Sequence, residues 1–211
     1  SNLGFLSFSS EVYSPERPML ARPKLVVAAG ALSEKIEALA TIPAEIWSTT
    51  RFTDYDRMRD ICTQLRIGIE QSFVSAGHAS ALARAASYVS PAAVVREKLA
   101  GVDFYLFLRD LLDNFDERVP ELASKLAELQ ERIFTSTGAV ASFTGSDDDY
   151  RRYWAAAGSL GLAPRTAPAK ELYVPAPEDR HEAFVIPADV CFCAQAHDPR
   201  LLGIGTDGTW S

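Results

Sequence analysis

The order of apolar and polar positions divides the chain into strand-like and helix-like stretches. Residues 3–13 (LGFLSFSSEVY) alternate, with Leu3 and Phe5 on one face and Leu6 and Phe8 on the other, and so predict a strand. Residues 14–23 hold Pro15, Pro18 and Pro23 and predict a loop. The β-branched run Leu25-Val26-Val27-Ala28-Ala29, closed by Gly30, predicts a second strand paired with the first as a hairpin.

Helical spacing follows. Ser33 and Glu34 open a helix carrying Ile36, Leu39, Ala40, Ile46 and Trp47, which Pro43 should kink or split. Thr53-Asp54 opens another, with Met58, Ile61, Cys62, Leu65, Ile69 and Phe73 on one stripe. Gly77 stops it, and helix resumes from His78 to Val89. Ser90 caps a further helix with Pro91 at its first position, and Gly101 ends that one. The strongest periodicity is Phe104, Phe107, Leu108, Leu111, Leu112 and Phe115, continued by Val119, Leu122, Leu126, Leu129 and Ile133. Two heptads are too few for a coiled coil, so a helix packed on a sheet is expected there.

Gly138–Gly145 then predicts a strand, and Ser146 with Asp147, Asp148 and Asp149 a helix start ending near Gly158 or Gly161. The Pro-rich stretch 161–182 predicts a linker. Residues 183–186 and 190–194 predict one interrupted strand or two short ones. This order implies an α+β fold: a small, mainly antiparallel sheet with several helices packed on one face.

Composition narrows the picture. With 211 residues, 47% hydrophobic and 23% charged, the chain can bury an ordinary globular core. A net charge of -7 argues against nucleic acid as a partner, since a basic face is what binds phosphates. No apolar run is long enough to span a membrane, and no signal-peptide pattern opens the chain. Three cysteines cannot build a disulfide framework, so a reducing compartment is expected, cytoplasm or organellar matrix rather than the outside of the cell. Ser1-Asn2 stands where an initiating Met would, and reads as a tag remnant on a piece of a longer protein.

Candidate chemistry is sparse. His78, His181 and His197 are too far apart for a two-histidine helical zinc motif. Cys191 and Cys193, with His197 nearby, fall short of a zinc ligand set, and alternation on a strand would bury both thiols on one face. Asp147-Asp148-Asp149 lacks the spacing of a calcium loop and reads as a helix cap. Gly203-Ile204-Gly205 with Gly208 starts like a dinucleotide loop, but no helical pattern follows. No catalytic residue and no metal ligand is assigned, and no substrate-binding residue can be named.

One run is more telling as a combination: Glu45-Ile46, Thr50-Arg51-Phe52-Thr53-Asp54, Gly77-His78-Ala79-Ser80-Ala81, Arg84-Ala85, Ser87, Ser90, Glu97 and Gly101, then Phe107-Leu108 and the later Val140-Ala141-Ser142-Phe143-Thr144-Gly145. In order and spacing it resembles the C-terminal half of presequence proteases and falcilysin-like enzymes, the large single-chain branch of the pitrilysin–insulinase zinc metallopeptidases. The resemblance covers roughly residues 3–196. It implies a pitrilysin-like metallopeptidase-homology domain within a chain of four such domains, which close as two halves around an unfolded peptide. Zinc would lie in the first domain, on an inverted H-x-x-E-H motif absent here, and the family's substrate-binding Arg and Tyr would lie past the end of this chain. By that analogy residues 3–160 are part of a third, non-catalytic domain, 161–182 a linker and 183–211 the truncated start of a fourth.

Three functions compete on this reading. The first is a non-catalytic chamber segment of a zinc oligopeptidase, without a cofactor of its own, whose partners are the parent's other domains and peptide substrates. The second is a stand-alone helical interaction module using residues 104–133. The third is a metal or redox protein using Cys191, Cys193 and His197. Residues 183–211, cut from most of their domain, are expected to dock on their own domain or to mediate an artificial dimer.

Overall fold

The computed structural model describes residues 3–14, 20–164, 172–173, 177–178, 180–199 and 203. Ser1-Asn2, residues 165–171, 174–176 and 179 of the 161–182 linker, and Ile204, Gly205 and Gly208 lie outside the described residues. The chain forms two units. The first draws on residues 1–11, 25–58 and 116–170, the second on 12–24, 59–115 and 171–211.

The expected α+β class is what the chain adopts. Strands β1 (Phe5–Tyr13), β2 (Leu20–Gly30) and β3 (Leu172–Tyr173) form a sheet in that order. The Gly4 amide donates to the Gly30 carbonyl at 2.7 Å, which sets the start of β1 beside the end of β2 and makes the expected hairpin antiparallel. β2 pairs antiparallel with β3 through Leu20–Tyr173 and Ala21–Leu172. β2 therefore begins within the stretch expected to be loop. Ala21 is fully buried, and its packing outweighs the break that Pro23 would favour.

Seven α-helices are present among the described residues: α1 (Ala38–Thr49), α2 (Tyr55–Ser75), α3 (Gly77–Ala86), α4 (Pro91–Ala100), α5 (Val102–Asp113), α6 (Phe115–Ile133) and α7 (Asp147–Ala157). Pro43 does not split α1, which runs through it. The break falls upstream, between a 3₁₀ turn at Ser33–Lys35 and Ala38. Asp54 starts α2 as expected, its Oδ1 accepting from the Arg57 amide at 2.9 Å. Pro91 takes the first position of α4, but the Ser90 hydroxyl makes no capping bond. Gly101 serves two helices, closing α4 and preceding α5. The long apolar stripe breaks at Asn114, where the backbone leaves helical geometry.

Two expected strands are not formed. Residues 138–145 make none. Gly138, at φ +77°, turns the chain, and Val140 is 92% exposed with no sheet edge to bury it. Residues 183–194 are also irregular, interrupted at Pro187, with Val185 fully exposed. Side chains rather than a backbone ladder hold that segment, as described below.

In the second unit, Val12 and Ala21 from the hairpin pack with Ala92 and Val95 of α4. In this unit the helix that meets the sheet is α4. The Arg96 guanidinium donates to the Val12 carbonyl at 2.7 Å and fixes the contact. α4 in turn packs on α3 and α5, and Leu108 and Leu111 of α5 are the largest side chains wholly removed from solvent.

In the first unit, α7 packs on α1. Ser146 caps α7 as the sequence predicts, accepting from the Asp149 amide at 3.1 Å. Asp149 accepts from Ser146 Oγ (2.7 Å) and from Ser33 Oγ (3.1 Å). Arg152, one turn on, forks onto Glu37 and donates to the Ser33 carbonyl. These bonds clasp α7 to the start of α1.

Leu108→Ala is expected to lower unfolding free energy by about 2–5 kcal/mol, the usual range for a fully buried leucine. Leu129→Ala, on a residue half exposed, is expected to cost under about 1 kcal/mol. Urea denaturation of both variants checks the contrast.

Candidate functional site

The densest cluster of charged side chains lies in the second unit, around Arg84 of α3. Helical spacing puts Tyr88 one turn beyond it. Gly101 lets α4 and α5 meet closely enough for Glu97 and Asp103, one on each helix, to face the same guanidinium. Arg84 Nη1 donates to Asp103 Oδ1 at 2.7 Å and to Glu97 Oε2 at 3.2 Å. Nε and Nη2 fork onto the Glu182 carboxylate at 2.7 and 3.1 Å. The Tyr88 hydroxyl donates to the same carboxylate at 2.5 Å. The rings of Tyr88 and Phe184 lie 5.8 and 5.7 Å from the guanidinium carbon, within cation–π range.

Glu97 is the unusual member. Only 2% of its side chain is exposed, and its Oε2 also accepts the Val102 amide at 3.1 Å, so a carboxylate caps the amino end of α5. Burial pushes its pKa up, against the opposing pull of Arg84. Glu182 goes the other way: the Arg84 hydrogen bonds hold its pKa down at about 2. Burial works against the charge on Arg84, but the bonds to Glu182 and Asp103 outweigh it and hold the guanidinium above its ordinary range. Burial, then the bond to Glu182, raises Tyr88.

A cleft of about 240 Å³ opens beside the cluster, lined by Arg84, Tyr88, Lys98, Glu178 and Arg180 among others. Each carboxylate facing Arg84 is bonded to it, and Glu97 and Asp103 also line the cleft. The arrangement is a fastening, which holds α3, α4, α5 and the 182–184 segment to one cation.

A second contact extends the fastening along the same segment. The Phe192 ring packs on Gly77, where an added Cβ would stand 2.5 Å from two ring carbons. His78, the next residue, meets the same ring at 6.1 Å. This is the neighbour that the start of α3 offers His78, which is exposed.

The other candidates from the sequence stay apart. His181 and His197 are exposed. Cys191 and Cys193 are exposed too, against the expectation that both would be buried, because no strand forms to turn them inward. Their sulfurs lie 4.0 Å apart, and the contact with Cys193 raises the Cys191 pKa. Of the Asp147–Asp149 run, Asp149 bonds the Ser146 cap in the first turn of α7 and is held below its ordinary range, first by the Ser146 hydroxyl. Among the described residues no three His, Cys, Asp or Glu side chains stand together as metal ligands, so the donors present do not fit a zinc centre. Sequence reading picked out Arg84, Glu97 and Gly101 without joining them. The i, i+4 spacing of Arg84 and Tyr88, with acids on either side of Gly101, was the available signal. Glu182, 98 residues from Arg84, gave none.

Comparison with known proteins follows the same elements. A family profile described as "Peptidase M-16C associated" matches residues 1–111. Presequence protease 1, chloroplastic/mitochondrial, of Arabidopsis thaliana is 24% identical over 192 residues, 88% of this chain and 17% of that protein. Protein HypA of Clostridium perfringens is 26% identical over 132 residues, 63% of this chain and 13% of that protein. The mitochondrial presequence protease of Yarrowia lipolytica is 26% identical over 118 residues, 56% of this chain and 12% of that protein. The chain thus spans less than a fifth of each of these relatives.

Arg84→Met is expected to destabilise the protein by about 3–5 kcal/mol, since it strands a buried carboxylate. Adding Glu97→Gln, which keeps an acceptor for the Val102 amide, is expected to recover part of that loss in urea titrations at pH 7. The acid limb has a definite sign. Glu182 has a folded-state pKa of about 2 against an ordinary 4.5, so its contribution is complete above about 4.5 and fades as pH falls toward 2. Glu97, raised by burial, contributes the opposite slope above 4.5. Glu182→Gln is therefore expected to flatten the stability loss between pH 4.5 and 2, read from denaturation midpoints across that window.

Proposed function

The chain belongs to the peptidase M-16C associated family, and from that membership we propose that it is a non-catalytic segment of a zinc-dependent oligopeptidase. In this reading it forms part of the chamber that encloses unfolded peptides. The observation that carries the proposal is the profile match over residues 1–111, together with a presequence protease aligned along 88% of the chain. The charged cluster fits this role, because it secures helices to one another and leaves no reactive group free. Zinc, with the hydrolytic chemistry it supplies, belongs in this reading to another domain of the parent. Among the described residues the donor set does not fit a metal.

The same proposal places the pieces of the chain. Residues 3–160 belong to a third domain, 161–182 to a linker and 183–211 to the start of a fourth. The partners are the parent's remaining domains and peptide substrates. The compartment is an organellar matrix or the cytoplasm, by analogy with relatives whose names place them in mitochondria or chloroplasts.

A second reading, a helical interaction module, draws on one observation: Leu129 and Ile133, at the end of α6, are 50% and 40% exposed. In the oligopeptidase these are the positions that a neighbouring domain would cover.

The purified chain is expected to leave a fluorogenic, basic, unstructured peptide uncut, with or without added zinc. Zinc-dependent cleavage that copurifies with the chain and disappears with chelator would overturn the non-catalytic assignment. A parent lacking this segment is expected to lose cleavage of long peptides.

A further inference from the structure

Two exposed thiols on either side of a docked aromatic ring make a device that the chamber reading does not use. We propose that Cys191 and Cys193 are a redox-active dithiol whose closure to an intramolecular disulfide lifts Phe192 from its seat on Gly77.

The geometry supplies both halves of this. The sulfurs face each other at 4.0 Å on the surface, so a small oxidant reaches either one. A disulfide needs them at about 2.05 Å, with a Cβ–S–S–Cβ dihedral near a right angle. Only one residue separates the cysteines, so the ring that closes contains the Phe192 backbone. Drawing the sulfurs together must bend the chain at that residue. The Phe192 side chain has little room to follow, because its ring lies directly against the Gly77 backbone and beside His78. Bond formation and ring seating therefore compete. The upstream anchor, Glu182 on Arg84, contains no sulfur and is left in place.

The oxidant is a low-molecular-weight disulfide. The thiolate of one cysteine attacks it and forms a mixed disulfide, releasing one small thiolate. The second cysteine, also as thiolate, attacks the protein sulfur of that mixed disulfide and expels the other small thiolate. The protein loses two protons and two electrons, and the small disulfide is reduced to two thiols. The third cysteine is a built-in control. Cys62 on α2 is partly buried, whereas Cys191 and Cys193 are exposed with their sulfurs side by side.

The test treats the full 211-residue chain with oxidised glutathione, then measures intact mass, alkylation of each cysteine, and deuterium uptake of residues 182–199. The expected result is a loss of two hydrogens, protection of Cys191 and Cys193 but not of Cys62 after unfolding, and several-fold faster exchange around Phe192. Cys191→Ser and Cys193→Ser are each expected to abolish the mass loss. Phe192→Ala, kept reduced, is expected to reproduce the faster exchange, as is Gly77→Ala if it folds. A disulfide-linked dimer as the main product, no disulfide at all, or a closed disulfide with unchanged exchange at Phe192 overturns the proposal.

Discussion

The second unit depends on how a buried negative charge is neutralised. Glu97 is almost fully removed from water, and among the described residues Arg84 is the cation that meets it. A buried carboxylate without a partner is costly, so the packing of α4 on α5 requires that guanidinium in place. The constraint then propagates. Holding Arg84 over Glu97 leaves its other edge free to grip Glu182 with a forked pair of bonds, and Glu182 carries the 182–184 segment with it. One cation thereby sets the relation of three helices to a stretch that has no backbone ladder of its own.

The first unit solves a smaller version of the same problem with different chemistry. Asp149 is buried, yet its partners are two hydroxyls rather than a close guanidinium, with Arg152 at 3.9 Å. Hydroxyls satisfy the carboxylate's lone pairs without burying a second charge. Arg152 remains at the edge, partly in solvent, paired with the half-exposed Glu37. Contacts of that exposed kind contribute little individually. The capping bond at Ser146 and the packing of Ala157 and Ala40 therefore matter more to this unit than its ion pairs.

Much of this could be read from the sequence, and the failures have a common cause. Helix starts at Asp54, Pro91 and Ser146 were legible, because capping and proline rules act over a few residues. The hairpin was legible from alternation closed by Gly30. What was missed depended on long-range partners. The glycine-bounded run 138–145 and the short apolar runs within 183–194 satisfy a strand template, but a strand also needs an edge, and no local pattern says whether one is free. The early start of β2 was hidden by Pro23, since the burial of Ala21 beneath α4 is invisible in residues 14–23. The charged cluster was half legible: its helical members sit at regular spacings, while Glu182 is distant in the chain.

The spacing that runs through α3 to α5 has a physical reading in packing. Gly77 and Gly101 are both places where a side chain occupies the space of a missing Cβ: the Phe192 ring at one, the Glu97 carboxylate at the other. Arg84 lies between them on α3 and binds what Gly101 admits. Each residue constrains the next. Without the glycine at 101 the carboxylate cannot reach the amino end of α5. Without the carboxylate Arg84 loses its buried partner, and without Arg84 the distal segment loses Glu182. A glycine, a cation, an acid and a second glycine at these intervals describe a folding constraint on helices α3 to α5.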